Sequence, residues 1–238
     1  MEPGAIQERV FGLPWQDIEA DLNSRGYAIA PSLLAEDECV ELAALYEQDG
    51  LFRKTIDMVR HGFGIGEYRY FSEPMPEPVA ALRESLYAPL AQIANRWAER
   101  LRTGERFPET HAEYRRMCAR GGQQQPTALM LDYESEGYNC LHQDVYGELA
   151  FPLQAAGLLS RPGVDFEGGE FLLVEQRPRR QSRGEAVVLE QGQFIVFPNQ
   201  MRPVSGTRGD YRVKVRHGVS RVRSGRRRTL GIIFHDAR

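Results

Sequence analysis

Residues 133–144 read YESEGYNCLHQD, and the triplet that closes them, His142, Gln143 and Asp144, organises the reading of the whole chain. A short apolar and aromatic run precedes the triplet and reads as a strand, so an imidazole and a carboxylate project together from its end. Both are metal-ligand types. A third ligand of the same kind stands far down the chain at His217, inside RVKVRHGVSRV (residues 212–222), another strand-like run. Two histidines with one carboxylate form the set that holds non-haem Fe(II) and leaves coordination positions open. A His-x-Asp triplet alone carries little, because a lone histidine is more often a surface or core residue; the weight comes from the residues after His217.

That continuation is HGVSRVRSGRRRTL over residues 217–230, then the apolar GIIF of residues 231–234. It resembles the His-x-Val-x-x-Val-x-x-Gly-x-Arg signature of the prolyl-hydroxylase-like Fe(II)/2-oxoglutarate dioxygenases. The resemblance implies a catalytic metal held by His142, Asp144 and His217, and an arginine at the start of the last core strand, here Arg227, paired with the distal carboxylate of 2-oxoglutarate. Thr229, two residues on and so on the same strand face, is placed to donate a second hydrogen bond. Tyr133 resembles the family's tyrosine near the cosubstrate, with Tyr138 as the alternative and a purely core role open for both. Fe(II), 2-oxoglutarate and dioxygen are therefore the implied reactants, with ascorbate an open addition. Gly168-Gly169-Glu170-Phe171 and Gly192-Gln193-Phe194-Ile195-Val196-Phe197-Pro198 resemble two further strands of such enzymes. The second normally runs straight into the distal histidine. Here residues 199–216 intervene, so the register near His217 is open to a shift.

After residue 126 the composition changes to short strands separated by Gly and Pro. Strands are expected at residues 127–133, 139–142, 149–159, 170–175, 185–189, 193–197, 211–219 and 228–235. Eight strands suit an α+β protein with a double-stranded β-helix, or jelly-roll, core. Residues 1–126 read as a helical and mixed support region packed on the core of residues 127–238, the two making one folded unit. Apolar residues at three and four residue spacing predict helices over residues 15–25 and 79–101, and an acidic first turn starts another before Cys39. Residues 52–71 read as two strands around a glycine-rich loop carrying His61, a substrate contact or simply an exposed residue. Gly62-x-Gly64-x-Gly66 lacks the helix start and downstream acid of a dinucleotide fingerprint and is rejected as one.

At 238 residues and 42% hydrophobic, the chain can bury a sizeable core. It has no apolar run long enough to cross a bilayer and no secretory leader pattern, so a soluble cytoplasmic protein without a membrane partner is expected. Cys39, Cys118 and Cys140 are odd in number and lack a Cys-x-x-Cys spacing, which argues against a disulfide framework and a structural zinc site. Cys140 is expected to be a small buried thiol. Net charge is only −3. Yet between residues 201 and 228 the cations Arg202, Arg208, Arg212, Lys214, Arg216, Arg221, Arg223, Arg226, Arg227 and Arg228 face Asp210 alone, and Arg177, Arg179, Arg180 and Arg183 form a second cluster. These are either solvated strand faces or a footprint for a polyanion near the metal.

The likeness extends to a bacterial group of oxygenases described as oxidatively demethylating damaged nucleic-acid bases, which makes single-stranded or damaged nucleic acid a partner to consider. Arg202, Arg208, Arg212, Lys214 and Arg216 would then form its phosphate-tracking rim. A protein or small-molecule hydroxylase needs no such rim, and a non-catalytic jelly-roll sensor of metal or 2-oxoglutarate needs no turnover. The intact ligand set together with Arg227 speaks against the sensor. Oligomeric state leaves no trace in the sequence.

Overall fold

The computed structural model describes residues 3–207 and 209–238. Its first half runs through α1 (Pro3–Phe11), α2 (Trp15–Ser24), β1 (Ala28–Ala30), α3 (Glu36–Ala44), β2 (Phe52–Asp57), α4 (Met58–His61), β3 (Gly64–Ile65), β4 (Glu67–Phe71), α5 (Glu77–Leu101) and α6 (His111–Arg120). The second half is built of strands: β5 (Leu129–Tyr133), β6 (Tyr138–His142), β7 (Leu153–Leu158), β8 (Phe166–Gly168), β9 (Phe171–Gln176), β10 (Arg183–Val187), β11 (Phe194–Pro198), β12 (Met201–Gly206), β13 (Gly209–Val219), β14 (Val222–Gly225) and β15 (Arg227–Ile232). The acids Glu36, Asp37 and Glu38 complement the N-terminal dipole of α3, and Glu38 also accepts from the Ala35 backbone N–H and forms a two-pronged pair with Arg9. Thr110 caps α6 through the Glu113 N–H. α5 continues through Pro89 without interruption.

Two antiparallel sheets face each other as the jelly-roll. The larger has the order β1-β11-β7-β15-β5-β4-β2, the smaller β10-β9-β13-β6-β3 with β12 added on β13. In β11 every residue is buried, and alternate side chains serve two cores. Phe194 and Val196 join the cluster under the helices, with Leu82, Leu86, Leu90 and Trp97 of α5. Ile195 and Phe197 face inward, against Phe171, Leu173, Val215 and Val219 of the smaller sheet. The helices thus cover the outer face of the larger sheet, and the space between the sheets is left for the site. β1, β2 and β4 come from before residue 126 but extend the larger sheet, so its ladder crosses that point of the chain.

Among the described residues β8, β12, β14 and α1 go beyond the elements expected from sequence, as do α4 and β3, which stand where the sequence predicts a glycine-rich loop. β12 was hidden by Pro203, which a strand tolerates at an edge, and β12 pairs with β13 alone. Residues 199–216 are therefore largely a hairpin that lengthens the smaller sheet, with Met201 opposite Lys214 and Gly206 opposite Gly209. Arg208 of the expected basic rim lies outside the described residues. Arg202 is not on the rim. It is fully buried, with its guanidinium on the buried Glu175 carboxylate and on the carbonyl of Asn23 at 2.8 Å. Gly26 makes room for this pair, since a Cβ there would lie 2.6 Å from Glu175 Oε1 and 2.8 Å from Arg202 Nε, at a φ of +89° that only glycine adopts readily.

Removing one partner of a buried pair strands the other charge, which costs about 3–5 kcal/mol. Arg202→Ala should therefore lower the urea midpoint sharply, whereas Arg212→Ala, on the exposed face of the same hairpin, should leave it unchanged. Equal midpoints for the two variants would show that Arg202 is not the buried anchor.

Candidate functional site

β6 and β13 are neighbours in the smaller sheet, and His142 and His217 are direct partners across them. Partners in an antiparallel ladder point to the same face, so the two imidazoles meet with ring centroids 4.2 Å apart. The expected shift of register falls just beyond the histidine, as an irregularity between His217 and Val219. Asp144, two residues past the end of β6, turns back between the rings. Its Oδ2 lies 3.2 Å from His217 Nε2 and its Oδ1 3.6 Å from His142 Nε2. One ligand atom from each of the three residues lies within 4.8 Å of the others, a spacing that suits a single cation.

The surroundings prepare each group to ligate. His142 Nδ1 lies 2.8 Å from the Cys140 carbonyl, which can only accept, so the proton sits on Nδ1 and the Nε2 lone pair faces Asp144. Burial, with the His142 imidazole beside it, lowers the His217 pKa and favours the neutral ring. Burial would raise the Asp144 pKa. The hydrogen bond with His217, the neighbouring His142 ring and the Tyr146 hydroxyl outweigh it and hold the carboxyl well below the usual carboxylate range. Tyr146 donates to Asp144 Oδ1 at 2.8 Å, and Asn199 Oδ1 accepts from the Asp144 backbone N–H at 3.0 Å. Gln143, between the two ligands, donates to the carbonyls of Gln200 and Val215 and so ties this segment to the hairpin.

The three residues open into a cavity of about 410 Å³ whose walls are mostly apolar, Leu131, Ile233 and Phe197 among them. Arg227 and Thr229 also line it. Arg227 is buried, Cα partner to Tyr133, with its Nη1 donating to Thr229 Oγ1 at 2.6 Å, its Nε without a partner and no carboxylate bound to it among the described residues. Burial pulls its pKa down to about 10. The flanking arginines point the other way. Arg226 and Arg228 turn to the other face of β15, where both pair with Asp132, at 2.6 and 3.0 Å. The run of three arginines is thereby resolved, with Arg227 the one that faces inward. Gly169 explains the Gly-Gly of residues 168–169, because its φ of +64° and a Cβ that would sit 2.7 Å from Arg227 Cδ leave space for glycine only.

Tyr133 stands behind the cavity wall. Its ring is 5.9 Å from the Arg227 guanidinium, and its hydroxyl accepts from the Asn139 side chain at 3.2 Å. The tyrosines that line the cavity are Tyr68 and Tyr146, and Tyr138 does not. Sequence reasoning passed over Tyr68, Tyr146 and Asn199. Tyr68 had a usable signal, as an aromatic in a predicted strand, but only the pairing of β4 with β5 and β5 with β15 puts Tyr68, Leu131 and Thr229 in one row. His61 is exposed and stacks on Phe63, whose side chain reaches the cavity. Cys140 is not a buried thiol. It is exposed and lines the cavity, since β6 turns it away from the core.

The sequence model of a family described as an oxygenase catalysing oxidative methylation of damaged DNA matches residues 66–237. An uncharacterized protein of Mycobacterium tuberculosis (strain ATCC 25618 / H37Rv) is 47% identical over 167 residues, which are 70% of this chain and 72% of that protein. In fold the chain is similar to a Pseudomonas putida prolyl-4-hydroxylase, with a TM-score of 0.52 and 15% identity over 94% of this chain and 99% of the other. A 2OG-Fe(II) oxygenase family oxidoreductase from Burkholderia pseudomallei gives a TM-score of 0.55 and 16% identity over 94% and 91% of the two chains. No helix among the described residues is long and apolar enough to cross a membrane.

The three thiols should differ in reactivity. Cys39 and Cys118 are buried, and burial pushes the Cys39 thiol up to about 12. A disulfide reagent added to the native protein should consume one thiol quickly, and Cys140→Ser should abolish that fast phase. A fast phase that survives the substitution would place Cys140 out of solvent.

Proposed function

The chain belongs to the Oxygenase-NA family, and from that premise we propose that it is an Fe(II)- and 2-oxoglutarate-dependent oxygenase that removes methyl groups from bases of single-stranded or damaged nucleic acid. The observation that carries the cosubstrate is Arg227, a buried cation with no carboxylate partner among the described residues, opening on the same cavity as His142, Asp144 and His217. A charge so placed is expensive until it is paired. The distal carboxylate of 2-oxoglutarate is a counter-ion of the right charge, and Thr229, whose oxygen already accepts from Arg227, keeps its own proton to donate. The donor set of two imidazole nitrogens and one carboxylate suits Fe(II).

Bound together, iron and 2-oxoglutarate supply dioxygen activation coupled to decarboxylation, which yields succinate and CO2 and puts one oxygen atom into a substrate C–H bond. The protein's part is to hold and to exclude. His142, Asp144 and His217 hold the metal, while Tyr146 and Asn199 keep the Asp144 carboxylate in its place between the rings. Arg227 and Thr229 hold the cosubstrate at the inner end, and the apolar walls keep bulk water from the reacting atoms. Oxygen inserted into an N-methyl C–H bond leaves an N-hydroxymethyl group, which breaks down to the free ring nitrogen and formaldehyde, so the net change is loss of the methyl. The base reading is supported by the family's description and by a cavity carrying Tyr68, Tyr146 and Phe63, flat surfaces suited to a planar ring. Phe63, Leu141 and Val145 are exposed apolar residues at the same cavity, and they favour the second reading, hydroxylation of a peptide or an apolar metabolite.

Protein loaded with Fe(II) and 2-oxoglutarate without oxygen, then exposed to it with a methylated single-stranded oligonucleotide, should release succinate and formaldehyde together. His142→Ala and Asp144→Ala should abolish both products, and near-normal succinate from the two variants would remove the ligand assignment. Methylated oligonucleotides that stimulate no more than peptides or small metabolites would decide for the second reading. Arg227→Ala should raise the 2-oxoglutarate requirement at least tenfold with iron binding unchanged, since such a buried pair is worth about 2–5 kcal/mol. The same rise from Arg226→Ala would put the carboxylate elsewhere.

A further inference from the structure

Hydrogen bonding and ion pairing divide the basic residues of the second half into two groups. Arg202 is bound to Glu175, Arg221 to Glu136, Arg223 to Glu170, and Arg226 and Arg228 to Asp132. Arg177 and Arg183 also have acids, Glu175 and Glu185. Among the described residues Arg227 in the cavity has none, and at the surface Arg179, Arg180, Arg212, Lys214 and Arg216 have none. Four of these five surface cations converge. The loop between β9 and β10 carries Arg179 and Arg180, and the pairing of Gln176 with Lys214 brings that loop against β13. Arg177, Arg179, Arg180, Arg212 and Lys214 then line one groove of about 1020 Å³ in which no acidic side chain takes part. Parts of the two basic clusters thus share one surface.

We propose that this groove tracks the phosphates of a single-stranded nucleic acid and leads the strand to the cavity, an inference that rests on the base-demethylase reading and names where its substrate is held. Arg212, Lys214 and Arg216 are exposed and alternate along β13, so they share a face at intervals of about 6.6 Å. A row of that repeat suits a backbone that presents one negative charge per nucleotide. Lys214 lies three residues from His217, about 10 Å along the strand but on the opposite face of the sheet, so a strand bound in the groove has to turn over the edge of the sheet to reach the cavity. The frame between them is rigid, because Gln143 is bonded to both strands of the hairpin's base through Gln200 and Val215. A strand held in the groove and turned over that edge can bring a base toward the metal ligands. A duplex would keep that base stacked and out of reach.

The test uses the full chain and a fluorescein-labelled, unmethylated oligothymidylate, followed by anisotropy from low to physiological salt. Binding should weaken linearly on a log–log plot, with a slope of about −0.7 for each phosphate neutralised. Arg212→Glu with Lys214→Glu should cost at least tenfold in affinity and flatten the slope. Arg221→Glu with Arg223→Glu, the same change in net charge outside the groove, should stay within about threefold, since contacts fall off with the screening length. Succinate release without any primary substrate should be the same in all three proteins. Absence of binding at low salt, an equal loss in both double variants, or displacement of the oligonucleotide by polyglutamate at matched charge would each overturn the proposal, the last in favour of an acidic protein partner. Binding that depends on the groove while methylated bases stay intact would retain the groove and remove the demethylase reading. Demethylation that is indifferent to the groove reversals would do the reverse.

Discussion

The antiparallel pairing of β6 with β13 is the constraint from which the centre is built. It sets His142 opposite His217, and the side-chain period of two then sends both rings to one face with no freedom to part. A slip of one residue would turn His217 outward and bring the basic Arg216 into the cavity. The register is protected from that slip on both sides of β13, by β9 along six residue pairs and by β12 in the hairpin. The added hairpin therefore does more than decorate the surface. It prolongs the strand that carries the distal histidine, and through Gln143 it also steadies the segment that carries the other two ligands.

Much of this was legible in the sequence where chemistry and spacing coincide. His142-x-Asp144, the distant His217 and the Gly-x-Arg ending at Arg227 stood out through their likeness to a known signature, and the structure brings them to one cavity. The helices under α5's leucine stripe and most strands of the second half were readable from periodicity. What stayed hidden depended on pairing across long separations. Tyr68 reaches the cavity because two strand pairings relay it there, and Asn199 reaches Asp144 because β11 ends beside β6's loop; neither contact has a local signal. Cys140 misled for a related reason, since a thiol beside an apolar residue reads as buried until the face of the strand is known. Arg202 misled because it sits in a basic run, although its strand face turns it inward.

Charge pairing separates residues that composition lumps together. Ten cations against one acid looks like a single electropositive patch. In three dimensions acids from elsewhere in the chain, Glu136, Glu170, Glu175 and Asp132, neutralise half of them, and what is left has a shape. Arg227 is the extreme of that remainder. It has no paired carboxylate among the described residues, and the cost of such a charge falls when an anion offsets it.

The strand order carries one more consequence, for how the molecule comes into being. β15, the last strand in the chain, lies at the middle of the larger sheet between β7 and β5. Until it inserts, β7 and β5 are two separated edges, and the helices formed earlier have only a divided surface to pack on. Such topologies, dominated by contacts between distant parts of the chain, assemble slowly. The same insertion delivers Arg227 and Thr229. The candidate metal ligands precede β15 in sequence, but the residues proposed to bind the carboxylate arrive with the strand that closes the fold, so that the proposed recognition of a dicarboxylate and completion of the core are a single event.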